Sequence, residues 1–163
     1  MDPLWAPWRM RYIMNPKPEG CIFCTKPQAQ DDGANHIVWR GESAFVMLNA
    51  FPYNNGHLLV SPYEHLADLE AVDPATLLEM MELCQDSIRV LKKRFNPEGL
   101  NLGLNLGAAA GAGVKDHVHL HVVPRWLGDT NFMPVVADVR VIPQSLDHAY
   151  AIIREGFVAL RAS

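Results

Sequence analysis

The stretch His117-Val118-His119-Leu120-His121-Val122-Val123-Pro124 decides both the fold and the chemistry of this chain. Polar and apolar residues alternate through it, which predicts a β-strand whose neighbouring side chains point to opposite faces. The three imidazoles then share one face, roughly 6.5–7 Å apart along the strand, and the apolar residues between them enter a core. Each histidine in such a row needs a polar partner and adds little packing. The pattern therefore indicates a reactive centre or a metal site.

A glycine-rich loop precedes this strand and favours a phosphate-containing ligand. It contains Gly107, Gly111 and Gly113, which allow unusual dihedral angles and a close approach of the backbone. A turn of exposed N–H groups forms an anion-binding nest. Such a loop, followed by a row of histidines, favours phosphate chemistry over a pure metal site.

The flanking sequence predicts further strands and two helices. Asp73 and Pro74 begin a long amphipathic helix that ends at Asn96, and Cys84 lies on its apolar stripe as a core residue. Ser145 begins a final helix. Strand-like runs cover 37–40, 44–49, 57–61 and 100–106, and residues 125–144 have no regular pattern.

Length and charge restrict the class of protein. The 163 residues fit one domain, and the net charge of −4 argues against a nucleic-acid-binding surface. We expect neither a signal peptide nor a membrane span. The chain has three cysteines, and this odd number with one Cys-x-x-Cys pair fits a reducing compartment. We therefore expect a cytoplasmic protein that uses Cys21 and Cys24 for metal or redox chemistry.

The histidine strand resembles the signature of the histidine triad (HIT) superfamily, His-φ-His-φ-His-φ-φ with φ apolar. The similarity extends back through 54–62 (NNGHLLVSP) and covers roughly residues 20–145. The segments 5–10 (WAPWRM), 101–107 (NLGLNLG) and 121–132 are similar to the bacterial branch that contains the diadenosine tetraphosphate (Ap4A) phosphorylases.

This resemblance implies an α+β, HIT-like fold with a five-stranded antiparallel sheet, one long helix and a C-terminal helix. The prolines and turn formers of residues 1–35 predict an irregular N-terminal arm with a Cys-x-x-Cys knuckle, and residues 36–163 would form the HIT domain. Together they would make a single structural domain, paired as a homodimer.

The resemblance also implies a reaction. His119, the middle histidine, would attack the α-phosphorus of a dinucleoside polyphosphate and form a covalent nucleotidyl-histidine. His121 would donate a hydrogen bond to a phosphate oxygen. Inorganic phosphate or water would then accept the nucleotide, and phosphorolysis of Ap4A would give ADP and ATP. A divalent cation could accompany the substrate.

Other residues match family positions around the nucleotide. Asn49 would hold the ribose and Asn105 would lie near the phosphates, beside the backbone of Gly111 and Gly113. The base pocket would be lined by Ile22, Phe23 and Met47. Many family members have Gln and Ser where this chain has Ala112 and Gly113, which leaves backbone amides in place of side-chain contacts.

Zinc-bearing members of the superfamily imply a metal site as well. The matching ligands are Cys21, Cys24, His65 and His117, two thiolates and two imidazoles that suit structural zinc. His36 is a rival ligand, and a free or redox-active cysteine pair is the alternative. We expect His57 to be a buried support beside the active site and His148 to lie on the surface.

Two other functions remain open from the sequence. One is a general nucleotide hydrolase or nucleoside phosphoramidase that acts on AMP conjugates by the same chemistry. The other is a nucleotide-sensing module without catalysis.

Overall fold

The computed structural model describes residues 20–130 and 141–162. The predictions for the segment 5–10, the start of the N-terminal arm and much of the stretch 125–144 lie outside these residues. Five strands form the sheet: β1 Ile37–Arg40, β2 Ala44–Leu48, β3 Leu58–Pro62, β4 Gly99–Leu104 and β5 Leu120–Arg125. Their order is β1-β2-β3-β5-β4 and every neighbouring pair is antiparallel, which confirms the predicted sheet.

The helices are α1 Ile22–Gln28, α2 Asp32–Asn35, α3 Pro74–Phe95 and α4 Leu146–Arg161, with short 3-10 turns at Leu69–Ala71 and Ala108–Ala110. The Asp73 carboxylate accepts hydrogen bonds from the amides of Ala75 and Thr76, so α3 begins where the sequence predicts. The Ser145 hydroxyl caps α4 in the same way. Within the described residues, no helix is both long and apolar enough to cross a membrane.

Both faces of the sheet are buried around β2. One face packs against α3 and α4 and contributes Val46 and Leu48 to the main core. The other face contributes Phe45 and Met47 to a smaller cluster with Phe23 of α1. The sheet therefore separates the two long helices from α1.

The two long helices approach closely at Gly156 of α4. A Cβ added there would lie 2.6 Å from Cγ1 of Val90 on α3. This contact requires a glycine, and it fixes the distance at which α4 covers the sheet beside α3.

The histidine stretch joins the sheet later than predicted. β5 begins at Leu120 because the backbone before it bonds elsewhere: the amide of Val118 donates to Leu66 O at 2.7 Å, and the Ser61 hydroxyl donates to Val118 O. The alternation survives, because Val118, Leu120 and Val122 enter the main core.

The Cys-x-x-Cys segment is helical where the sequence analysis predicts an irregular arm. The amides of Cys24 and Thr25 donate to Cys21 O and form the first turn of α1. Pro27 lies inside this helix. The many prolines and turn formers around this short helix concealed it from the sequence pattern.

Candidate active site and metal centre

His119 presents one ring nitrogen as an electron-pair donor. Its Nδ1 lies 2.8 Å from the carbonyl oxygen of His117, and a carbonyl only accepts, so Nδ1 carries the proton. Nε2 of the neutral ring therefore holds the lone pair. Burial lowers the pKa of His119, against the opposing effect of this hydrogen bond. Burial therefore favours the neutral ring, and the hydrogen bond to the His117 carbonyl fixes its tautomer.

A relay of hydrogen bonds gives His121 the opposite tautomer. The amide of Tyr53 donates to Nδ1 of His57 at 3.0 Å, so the proton of His57 is on Nε2. That N–H donates to Nδ1 of His121 at 2.9 Å, which leaves the His121 proton on Nε2. This Nε2 is buried and has no hydrogen-bond partner in the part of the chain that the structure describes. Burial, and then the nearby His119, lower the pKa of His121 to about 4.

The two rings thus place a nucleophile beside a hydrogen-bond donor. Their centroids are 5.0 Å apart and the rings meet edge to face. A lone pair on His119 can attack an electrophilic phosphorus while the N–H of His121 donates to an oxygen on which charge develops. The buried His57 is the support that the sequence predicts, with its side chain fully covered.

The predicted nucleotide contacts are distributed around these rings. Asn105 and His121 line a cavity of about 490 Å³, together with Tyr53, Asn101 and Arg125. Asn49 lies against the relay: its Oδ1 accepts from the amide of Phe51, and its Nδ2 lies 3.3 Å from Nδ1 of His57. Ribose binding by Asn49 stays a prediction.

The glycine loop is open, but two of its amides are already used. The N–H of Ala110 donates to Gly107 O. Gly111 adopts a left-handed φ of 85°, and its N–H donates to Ala108 O. A phosphate nest in this loop would rely on other amides, such as that of Gly113. A Cβ at Gly113 would meet nothing within 4 Å among the described residues.

The three residues predicted for the base pocket belong to the smaller core cluster. Phe23 and Met47 are each 1 % exposed, and Ile22 is half-buried against them. Phe23 also makes a contact that the sequence does not predict: its ring stacks on His119 with centroids 4.6 Å apart. No sequence pattern marks this contact, which depends on how α1 packs against residues 117–119.

The four predicted metal ligands converge in space. One ligand atom from each of Cys21, Cys24, His65 and His117 lies within 4.8 Å of all the others. Nδ1 of His117 is 3.3 Å from Sγ of Cys21, 3.6 Å from Sγ of Cys24 and 3.2 Å from Nδ1 of His65. Zn–S bonds near 2.3 Å and Zn–N bonds near 2.0 Å would separate ligand atoms by about 3.3–3.8 Å around a tetrahedral ion. The cluster therefore fits zinc.

The orientation of His117 also suits a metal. Its Nε2 donates to Pro62 O at 3.0 Å, so Nδ1 has its lone pair toward the cluster. Burial, and then the adjacent Cys21, raise the pKa of the Cys24 thiol, and a bound cation would favour the thiolate.

The remaining histidines lie outside this cluster. For the rival ligand His36, Nε2 lies 3.4 Å from Oδ1 of Asp147 instead. His148 is exposed on α4, as predicted.

Comparison with known proteins assigns this geometry to a family. The HIT domain profile matches residues 31–126. The chain is also 40% identical to the AP-4-A phosphorylase of Mycobacterium tuberculosis, over 88% of this chain and 77% of that protein.

The chain belongs to the HIT family. The profile match and the homology of the chain to that phosphorylase confirm the prediction of a HIT-family enzyme.

Solved structures share the fold of this HIT protein. A zinc-bound histidine triad family protein from Mycobacterium smegmatis has a TM-score of 0.71 at 27% identity, with 88% of this chain and 96% of that chain covered. A hypothetical histidine triad nucleotide-binding protein from Sulfolobus tokodaii has a TM-score of 0.70 at 26% identity, with 86% of this chain and 94% of that chain covered. The former shows that a relative with this fold binds zinc.

Proposed function

We propose that this HIT protein cleaves dinucleoside polyphosphates of the Ap4A type by phosphorolysis, through a nucleotidyl group carried on His119. The opposite tautomers of His119 and His121 are the observation that carries this proposal. The homology to the mycobacterial AP-4-A phosphorylase supports the choice of substrate.

The first step transfers the nucleotide to the protein. Nε2 of His119 forms a bond to the α-phosphorus, and the bond from that phosphorus to the bridging oxygen breaks. ATP leaves from Ap4A with the electron pair of that bond. His121 donates its Nε2–H hydrogen bond to an oxygen of the reacting phosphate. The His117 carbonyl remains bonded to Nδ1–H of His119 and stabilises the positive charge on the imidazolium adduct.

The second step regenerates the neutral imidazole. An oxygen of inorganic phosphate attacks the same phosphorus, the P–N bond breaks, and ADP forms. Water in place of phosphate would give AMP. Asn105, Gly113 and the base-pocket residues Ile22 and Met47 complete the proposed nucleotide site. A divalent cation would arrive on the substrate's phosphates, since Cys21, Cys24, His65 and His117 form the only metal-binding group found in residues 20–130 and 141–162.

Phosphorus NMR of Ap4A reaction products, with and without inorganic phosphate, tests the proposal. Phosphate-dependent ADP plus ATP supports it, whereas AMP plus ATP without phosphate assigns a hydrolase. Turnover restricted to amine-linked AMP assigns a phosphoramidase, and binding without turnover assigns a nucleotide-sensing module. The variant His119→Ala should lose at least about 10³-fold in kcat. The control His148→Ala, an exposed histidine on α4, should keep the wild-type rate.

The proposal includes a structural zinc ion and a homodimer. Cys21, Cys24, His65 and His117 would bind the zinc in the cytoplasm, where the thiols stay reduced. β4 is an edge strand of the described sheet, and Leu102 on it is 43% exposed, which supports a second copy at this edge. Sedimentation equilibrium at the mass of a monomer would contradict the dimer.

A further inference from the structure

Helix α1 places a phenylalanine between two metal ligands. Cys21 precedes the helix and Cys24 lies in its first turn, so Phe23 is next to one ligand and two residues from the other. The Phe23 side chain is 1% exposed and lies in the smaller core cluster. Any shift of the two thiols would therefore move the Phe23 ring.

That ring covers a face of the proposed nucleophile. The Phe23 and His119 rings are stacked at 28°, with centroids 4.6 Å apart. His121 meets His119 edge to face at 5.0 Å, and the His117 carbonyl binds its Nδ1. A turn of the His119 ring about its Cβ–Cγ bond would break the stack and the hydrogen bond together. Phe23 thus opposes a rotation that would turn Nε2 away from a substrate.

Helix α1 has little stability of its own. It has seven residues and includes Pro27, and isolated helices of this length are not stable in water. It is held by the burial of Phe23 and Pro27, by a hydrogen bond from Arg40 to Pro27 O, and by the cysteines at the metal cluster. A bound metal would therefore fix α1, and through it the stack on His119.

We propose that Phe23 is a positioning residue for His119. When a metal holds Cys21 and Cys24 in place, the Phe23 ring restrains the His119 ring. This inference rests on the proposed nucleotidyl transfer. It assigns Phe23 a role different from the base pocket, where a side chain would act on substrate binding. A positioning residue acts on kcat at nearly constant KM, whereas a base-pocket residue acts on KM.

The test compares Phe23→Leu with the matched control Phe45→Leu in the zinc-loaded protein. Phe45 is fully buried in the same cluster, but its ring stacks on Tyr63 at 5.2 Å. Both variants remove one buried aromatic ring, and only the first removes a ring from His119. Zinc content and melting temperature are measured for each.

We expect Phe23→Leu to lower kcat by about 10- to 100-fold with KM within about threefold of wild type. Phe45→Leu should keep kcat near wild type, even where its melting temperature falls as far as that of Phe23→Leu. With ¹⁵N-labelled histidine, the slowly exchanging Nδ1–H signal of His119 should persist in Phe45→Leu and disappear in Phe23→Leu. Equal kcat values in the two variants, or a change confined to KM, would overturn the proposal.

A measurement on the wild-type protein keeps the test valid if Phe23→Leu fails to fold. The stacked ring should shift the carbon-bound protons of His119 upfield, and removal of zinc by a chelator should reverse this shift. An unshifted His119 in the zinc-loaded protein would refute the positioning role. If the wild type cleaves no adenylyl substrate, the proposed function fails, while these NMR signals still decide the role of Phe23.

Discussion

His119 and His121 have opposite tautomers because their Nδ1 atoms meet different partners. A carbonyl accepts from Nδ1–H of His119, whereas the N–H of His57 donates to Nδ1 of His121. The sequence predicts the shared face of these rings from their alternation. It does not predict the tautomer of His121, since this depends on the Tyr53 amide, which comes from a distant turn.

The relay predicts an effect of replacing His57. In His57→Gln, the amide side chain can donate to or accept from His121, so the His121 tautomer is no longer fixed. We expect kcat to fall by about 10- to 100-fold, which is less than the roughly 10²- to 10⁴-fold contribution of a positioned proton donor, because part of the population keeps the productive tautomer. The ¹⁵N shifts of His121 should show a mixture of tautomers. An unchanged His121 spectrum with full activity would contradict the relay.

The low pKa of His121 predicts a loss of stability in acid. The pKa is lowered from 6.5 to about 4 by burial and by His119, so the unfolded chain binds this proton at higher pH than the folded chain does. Stability should therefore fall as the pH decreases from about 6.5 to about 4, with no further change from this group below that range.

Urea denaturation of wild type, His121→Asn and His148→Asn between pH 7 and pH 4 measures this contribution. His121→Asn should lose less stability over the range than wild type, and the surface control His148→Asn should follow wild type. Parallel curves for all three proteins would show that His121 does not carry the pH dependence.

At the scale of elements, Glu79 joins α3 to the β1–β2 turn. Its carboxylate accepts hydrogen bonds from the amides of Glu42, Ser43 and Ala44 and from the Ser43 hydroxyl. Burial raises the pKa of Glu79, but these hydrogen bonds outweigh it and the pKa is lowered overall. The ionised carboxylate is thus part of the contact between helix and sheet.

We expect Glu79→Gln to lower the free energy of unfolding by about 1–3 kcal/mol. The neutral amide is a weaker acceptor and leaves some of the N–H and O–H donors of the turn without a partner. The matched control is Glu82→Gln, an exposed position on the same helix, which should change stability little. Urea denaturation at pH 7 measures both variants. A loss as small as that of the control would rule out this role of Glu79.

Elements with strong local signals were predictable from sequence. The ends of α3 follow from Asp73, Pro74 and Asn96, which act within one turn of the helix. The start of β5 and the existence of α1 were not predictable, because both depend on partners far away in the chain. The Val118 amide bonds to Leu66, and Phe23 of α1 is buried against β1, β2 and β3 in the smaller core cluster.

For the whole molecule, the metal cluster joins three distant parts of the chain. Cys21 and His117 are 96 positions apart, and His65 lies between them. A metal that binds only the folded arrangement stabilises it by mass action. We expect Cys21→Ser to lose bound zinc and to lower the melting temperature by several degrees.

Elemental analysis and calorimetry test this expectation, with Cys84→Ala as the control. Cys84 is buried in the main core, outside the group of four ligands, and burial raises the pKa of its thiol to about 12. Cys84→Ala should keep its zinc whatever its melting temperature. Full zinc occupancy in Cys21→Ser would contradict the assignment of this ligand.

The close approach at Gly156 restricts how this chain can evolve. A single methyl group at that position would overlap Cγ1 of Val90, a β-branched side chain with little rotational freedom. Selection for folding should therefore remove nearly every mutation there. A lineage that replaced Gly156 would first have to acquire a smaller residue at position 90, so substitutions at the two positions should be coupled in evolution.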